Sequence, residues 1–130
     1  MGWKTGSVLA AVVFLLVGHG LALEPPYYRP VSSGELLDGR VRDGDSIEVA
    51  GHAWLTEKGM FFNASEMSAR GSMEVDVANV SSATVGRLKA DCSAPGRFGG
   101  GCRVTLRGQP ARRAGRQVFV GAEVEIMPRR

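Results

Sequence analysis

From Ile47 to Leu55 the side chains alternate. Ile47, Val49, Gly51, Ala53 and Leu55 fall on one face, and Glu48, Ala50, His52 and Trp54 on the other. The period of two returns where Cys102, Val104 and Leu106 alternate with Arg103, Thr105 and Arg107. It returns again where Val118, Val120, Ala122, Val124 and Ile126 alternate with Phe119, Gly121, Glu123 and Glu125. A strand with one apolar and one polar face is stable only in a sheet that covers its apolar side. Three such strands in 130 residues point to a mainly β chain with a single core.

The intervening sequence supplies two shorter strands and one helix. Thr56-Glu57-Lys58-Gly59 reads as a hairpin turn into a return strand, Met60 to Ala64. In that strand alternation assigns Phe62 to the core and Phe61 to the contact surface. After a polar connection, Met73, Val75 and Val77 alternate with Glu74 and Asp76. Ser81 to Thr84 offers helix caps, and Val85, Leu88 and Cys92 recur at helical spacing before Pro95-Gly96. Gly108 to Arg116 reads as a loop. Gly51 stands where the first strand can bend sharply.

Strand, strand, strand, helix, strand, strand is the element order of the OB-fold, a partly open Greek-key barrel. The stretch DGDSIEVAGHAWLTEKGMFFNA resembles the first hairpin of exported bacterial OB-fold proteins. GCRVTLRG, running later into VFVGAEVEI, resembles their last two strands. The resemblance covers Asp43 to Met127. It implies a five-stranded barrel with one short helix between strands three and four, and it carries no catalytic signature.

The first 22 residues read as an address. Lys4 and the amino terminus precede an apolar run, VLAAVVFLLV, and small residues stand at Gly20 and Ala22. That is the layout of a secretory signal peptide, and the run is too short to cross a membrane. The expected organisation is a signal peptide over 1–22, a Pro/Gly-rich lead-in over 23–44, the barrel over 45–127 and a tail over 128–130. In the lead-in Pro25, Pro26 and Pro30 favour an extended chain, and Gly34, Gly39 and Gly44 break any helix that Glu35 to Asp38 starts. Thirteen of the sixteen basic residues are Arg, a bias that accompanies GC-rich bacterial genomes. The expected compartment is therefore periplasmic or extracellular. In a eukaryotic host, Asn63-Ala64-Ser65 and Asn79-Val80-Ser81 are glycosylation sequons.

Cys92 and Cys102 enclose SAPGRFGGG. Two cysteines in an oxidising compartment, joined by a flexible loop, predict a structural disulfide. Two cysteines and two histidines are too few for a zinc finger or an iron–sulfur cluster. His52 is a lone strand histidine, and the acids Asp38, Asp43, Asp45 and Glu48 miss the calcium-loop spacing. No metal and no cofactor is expected. No phosphate-binding or dinucleotide glycine motif and no hydrolase or metalloprotease signature occurs.

Charge is divided along the chain. Residues 23–85 carry five basic and ten acidic groups, residues 86–130 ten basic and three acidic. In the second half Arg112, Arg113 and Arg116 fall in the expected loop between the last two strands, a loop that frames the ligand cleft of OB-folds. Trp54, read as outward-facing, ends the first strand beside the opposite loop, with Phe61 after it. Basic groups beside exposed aromatics suit an anionic ligand. Arg103 and Arg107 are expected to pair with Glu123 and Glu125 across strands. The resulting expectation is an exported, non-catalytic binding module for a protein partner, a glycan or a nucleic acid. The alternatives are an exported OB-fold hydrolase such as a nuclease, and a structural envelope protein.

Overall fold

The structure, a computed structural model, describes residues 27–65, 71–93 and 100–128. The expected signal peptide lies outside them. So do most of the lead-in's proline cluster, part of the disulfide loop and the last two residues of the tail.

Strand β2 (Ile47–Thr56) and strand β3 (Gly59–Asn63) form the first hairpin. Strand β4 (Met73–Asp76) pairs antiparallel with β3. After helix α2 (Ser82–Asp91), strands β5 (Cys102–Arg113) and β6 (Arg116–Ile126) form a long second hairpin. The β4–β6 pairing is parallel, and β2 pairs back to β5. The circuit β2-β3-β4-β6-β5-β2 thus closes into a five-stranded mixed barrel of OB-fold type, as the element order implied.

Closure depends on one strand serving two neighbours. The first half of β2 pairs with β5 from Ile47 to Ala53, and its second half pairs with β3 from His52 to Thr56. The two sets of pairings meet just past Gly51. A Cβ built there falls 2.4 Å from Phe62 Cζ and 2.6 Å from the Asn63 carbonyl oxygen. Only a residue without a side chain lets β3 fold this tightly onto the bend. The interior is filled by Ile47, Val49, Ala53, Met60, Phe62, Val75, Leu88, Val104, Leu106 and Phe119, all buried.

Three expectations are corrected. The lead-in is not a bare approach to the barrel. Strand β1 (Arg29–Val31) pairs parallel with Ile47 to Val49, and helix α1 (Ser33–Leu37) follows despite Gly34. Helix α1 exists because Ser32 and Glu35 form a reciprocal capping box. The Ser32 backbone N–H donates to Glu35 Oε1, and the Glu35 N–H donates to Ser32 Oγ, both at 3.1 Å. The Ser32 hydrogen bonds hold the Glu35 carboxyl below its ordinary range. Leu36 and Val41 then join the core, so the domain starts well before residue 45.

Gly108 to Arg116 is not a loop either. Strand β5 continues to Arg113, and the chain turns at Ala114 and Gly115, with φ of 51° and 79°. Positive φ at both central residues is the mark of a tight two-residue hairpin turn. The third correction concerns β6. Arg107 pairs with Glu123 but Gly108 pairs with Gly121, so Ala122 is an extra, unpaired residue. That bulge inverts the alternation of β6 on its far side. Phe119, assigned by simple alternation to the polar face, is fully buried instead.

The disulfide is present. Cys92, the C-cap of α2, is bonded to Cys102, the first residue of β5, with Cα atoms 5.2 Å apart. Closing a loop this short is worth about 2.5–3 kcal/mol in the chain-entropy model. Native protein is expected to show no titratable thiol, and a reductant should lower the melting temperature while leaving the far-ultraviolet circular dichroism of the folded state unchanged.

Candidate ligand groove

Strand register builds the outer face of the barrel. Trp54 pairs with Phe61, and Phe61 pairs with Glu74, which sets one residue from each of β2, β3 and β4 in a row. Trp54 and Phe61 stack, with ring centroids 6.0 Å apart and planes at 29°. His52, two residues back on the same face of β2, lies 6.1 Å from Trp54. Sequence alternation therefore puts these side chains on the correct face.

It does not give their exposure. Trp54 is only 6% exposed. Gly100 and Gly101 lie directly over this end of β2, and a Cβ on Gly101 would come within 3.1 Å of Trp54 Cβ and 2.5 Å of the Ala53 carbonyl oxygen. The Gly100 oxygen sits 3.0 Å from His52 Nε2, which donates to it. His52 is thus a buried strut for the glycine segment. Phe61 is half-buried, and Phe62 is fully buried, as their alternation required. Asn63 is also fully buried, so its sequon is closed in the folded chain, whereas Asn79 is exposed.

An open groove of about 1080 Å³ runs past the accessible edge of this pair. Its apolar floor is Trp54, Leu55 and Phe61, and its rim includes Lys58, Ser72, Lys89 and Ser93. Two local devices fix the rim. In the β2–β3 turn Thr56 Oγ1 accepts the Lys58 N–H at 3.0 Å and donates to the Gly59 carbonyl. At the end of α2, the Leu55 N–H donates to the Cys92 carbonyl at 3.0 Å, and Ser93 Oγ donates to the Lys89 carbonyl. The disulfided helix end and the β2–β3 turn therefore both contribute to the lining.

The three predicted arginines do not line this groove, nor do they act together. Strand parity sends Arg112 to one face of the hairpin and Arg113 and Arg116 to the other. Arg112 Nε lies 3.6 Å from Asp43, Arg113 pairs with Asp76, and Arg116 reaches Glu74 at 3.1 Å. The remaining expected acids are matched in the same way. Asp38 pairs with Arg40, Asp45 with Arg29, and Glu48 with Arg107 at 2.7 Å. Arg107 also reaches Glu125 and Glu123, as its cross-strand position predicted, whereas no ion pair of Arg103 occurs among the described residues. Four arginines of the basic second half, Arg107, Arg112, Arg113 and Arg116, thus meet acids of the first half.

The lysines behave otherwise. Lys58 and Lys89 are the only lysines after Lys4, both line the groove, and neither enters an ion pair among the described residues. Sequence reasoning weighs the arginines and passes over these two. The signal that could have found them is their rarity in an arginine-rich chain. An Arg fork suits fixed carboxylate pairs, whereas Lys is a mobile point charge.

Asp76 ties the hairpin to β4. It accepts the Ala78 N–H at 2.9 Å and the Arg113 guanidinium, and these hold its carboxyl below the ordinary aspartate range. A depressed folded pKa means that the contribution is present above the unfolded value, about 3.9, and is lost as pH falls below it. Asp76→Asn should therefore lower the melting temperature at neutral pH, and the gap from wild type should close as pH falls below about 4. Thermal melts across acid pH check this.

Among the described residues no group of three or more His, Cys, Asp or Glu side chains could hold a metal ion, and no helix is long and apolar enough to cross a membrane. What the groove does provide is an apolar floor with two cations at its lip. Neither protein-family models nor curated proteins give a match to the chain, so its function is read from the groove itself.

Proposed function

We propose that the protein is an exported, non-catalytic binding module, periplasmic or extracellular, that holds an anionic ligand or partner in the groove of Trp54, Phe61, Lys58 and Lys89. The observation that carries this reading is the contrast between neutralised arginines and two lysines that have no ion pair among the described residues. Arg112, Arg113 and Arg116 each meet a carboxylate, while Lys58 and Lys89 flank an apolar floor with no acidic partner among the described residues. An anion entering the groove gains charge without breaking an existing pair. The groove also lies on the face that OB-folds use for ligands, beside the turn between their first two strands. The paired cysteines and the leader-like first 22 residues support the compartment.

The test is tryptophan-fluorescence titration with a Glu-flanked, Leu-centred peptide, oligogalacturonate and oligothymidylate. At least one should bind. Joint reversal, Lys58→Glu with Lys89→Glu, should weaken that binding about tenfold or more and reduce its salt dependence. Arg113→Glu with Arg116→Glu should leave it within about twofold, because those charges are already spent on Asp76 and Glu74. Binding that depends on the arginines and ignores the lysines would contradict the proposal.

A further inference from the structure

We infer that the occupant of the groove is an acidic peptide segment with an apolar anchor. The anchor seats against Leu55, Phe61 and Trp54, and flanking carboxylates meet Lys58 and Lys89. This inference rests on the binding reading above and adds the ligand class.

Three observations select a peptide over a nucleic-acid strand. The first is the state of the indole. Single-stranded bases bind by laying a flat ring on an open aromatic face. Trp54 is 6% exposed, with Phe61 stacked on it, His52 beside it and Gly101 packed at its Cβ. So little of it is open that a base has scant ring face to stack on. The apolar lining of Trp54, Leu55 and Phe61 is a seat for a branched aliphatic or aromatic side chain, which needs burial and no stacking plane.

The second is the placement of charge. A nucleic-acid strand needs a basic track along its backbone, and the arginines of the β5–β6 tip are held by Asp76 and Glu74. The groove presents two ammonium groups, one on the β2–β3 turn and one on the last turn of α2. Point charges carried by two different elements match carboxylates that flank an anchor. Glu57, the single acid among the described lining residues, disfavours a densely charged polyanion threaded past the turn. The third is size and shape. At about 1080 Å³ the groove is at or above the upper end for small-molecule sites, and it is open along its length, as a chain segment requires.

Fluorescence anisotropy on the full chain tests the inference with four labelled probes. One is a pool of short peptides with Asp or Glu at the outer positions and Leu or Phe at the centre. The second has Lys in place of the acids, the third has Ser in place of the central apolar residues, and the fourth is oligothymidylate. The first pool should bind and the other three should not. Lys58→Glu with Lys89→Glu should weaken it about tenfold or more. Phe61→Ser should weaken it with no change in salt slope, and Phe61→Leu should restore most of the affinity. Oligothymidylate binding through Lys58 and Lys89, with the acidic pool silent, overturns the peptide assignment and leaves the binding module standing. Equal binding of the serine-centred pool overturns the apolar anchor. Silence of every probe overturns both readings.

Discussion

Replacing Gly51 with alanine should lower the melting temperature by about 12–20 °C, and valine there should prevent folding. The reason is local and geometric. The new Cβ would stand 2.4 Å from the tip of the Phe62 ring and 2.6 Å from the Asn63 carbonyl oxygen. The ring is fully buried and cannot swing away, and the carbonyl belongs to the strand that pairs with β2. Relief requires β3 to separate from β2 at the bend on which closure depends. Overpacking of this kind costs about 1–3 kcal/mol where the surroundings give, and more where backbone is in the way. Gly86→Ala is the matched control. Gly86 lies in α2 with nothing within 4 Å of an added methyl, so the same change should stabilise by up to about 1 kcal/mol through helix propensity. Thermal melts of the two variants, with opposite signs, check the reading of both glycines.

Leu36→Ala should cost about 2–5 kcal/mol, the range for a large aliphatic side chain deleted from a packed interior. Leu36 lies in a segment whose glycines and prolines suggest a linker, where a substitution would stay within about 0.5 kcal/mol. It is fully buried in the same cluster as Val49 and Phe62. Urea unfolding distinguishes the two cases by the midpoint. A loss of the larger size makes β1 and α1 part of the cooperative unit.

The barrel is legible in the sequence where the physics is local. The alternation of Ile47 to Leu55, the bend at Gly51 and the division of Phe61 from Phe62 follow from a period of two and one missing side chain. The capping box Ser32–Glu35 is equally present in the sequence, but the glycines around it outweigh it, and Leu36 as a consequence does not read as core. Phe119 escapes simple alternation for a different reason. Its face depends on Ala122 being unpaired, and that depends on Gly108 meeting Gly121 across the hairpin, where a Cβ on Gly108 would fall 2.1 Å from the Val120 oxygen.

The candidate site divides in the same way. Trp54 and Phe61 do share a surface, since cross-strand register follows from the hairpin turn. Their exposure does not follow, because the neighbours of Trp54 include Gly101, far along the chain. The arginines mislead because their counterions are distant in sequence. Asp76 lies 37 residues before Arg113, and Glu74 lies 42 before Arg116. A surplus of charge in one half of a chain says little about surface potential when the other half folds against it.

The central claim is that the binding surface is the lysine-flanked groove and not the arginine hairpin. Backbone amide chemical-shift mapping in a two-dimensional nitrogen–proton spectrum decides between the two, with a Glu-flanked, Leu-centred peptide titrated into the folded protein. Shifts are expected to concentrate from Trp54 to Phe61 and from Lys89 to Ser93, with Arg112 to Gln117 unmoved. Shifts confined to Arg112 through Gln117, with Lys58 and Lys89 silent, would contradict it.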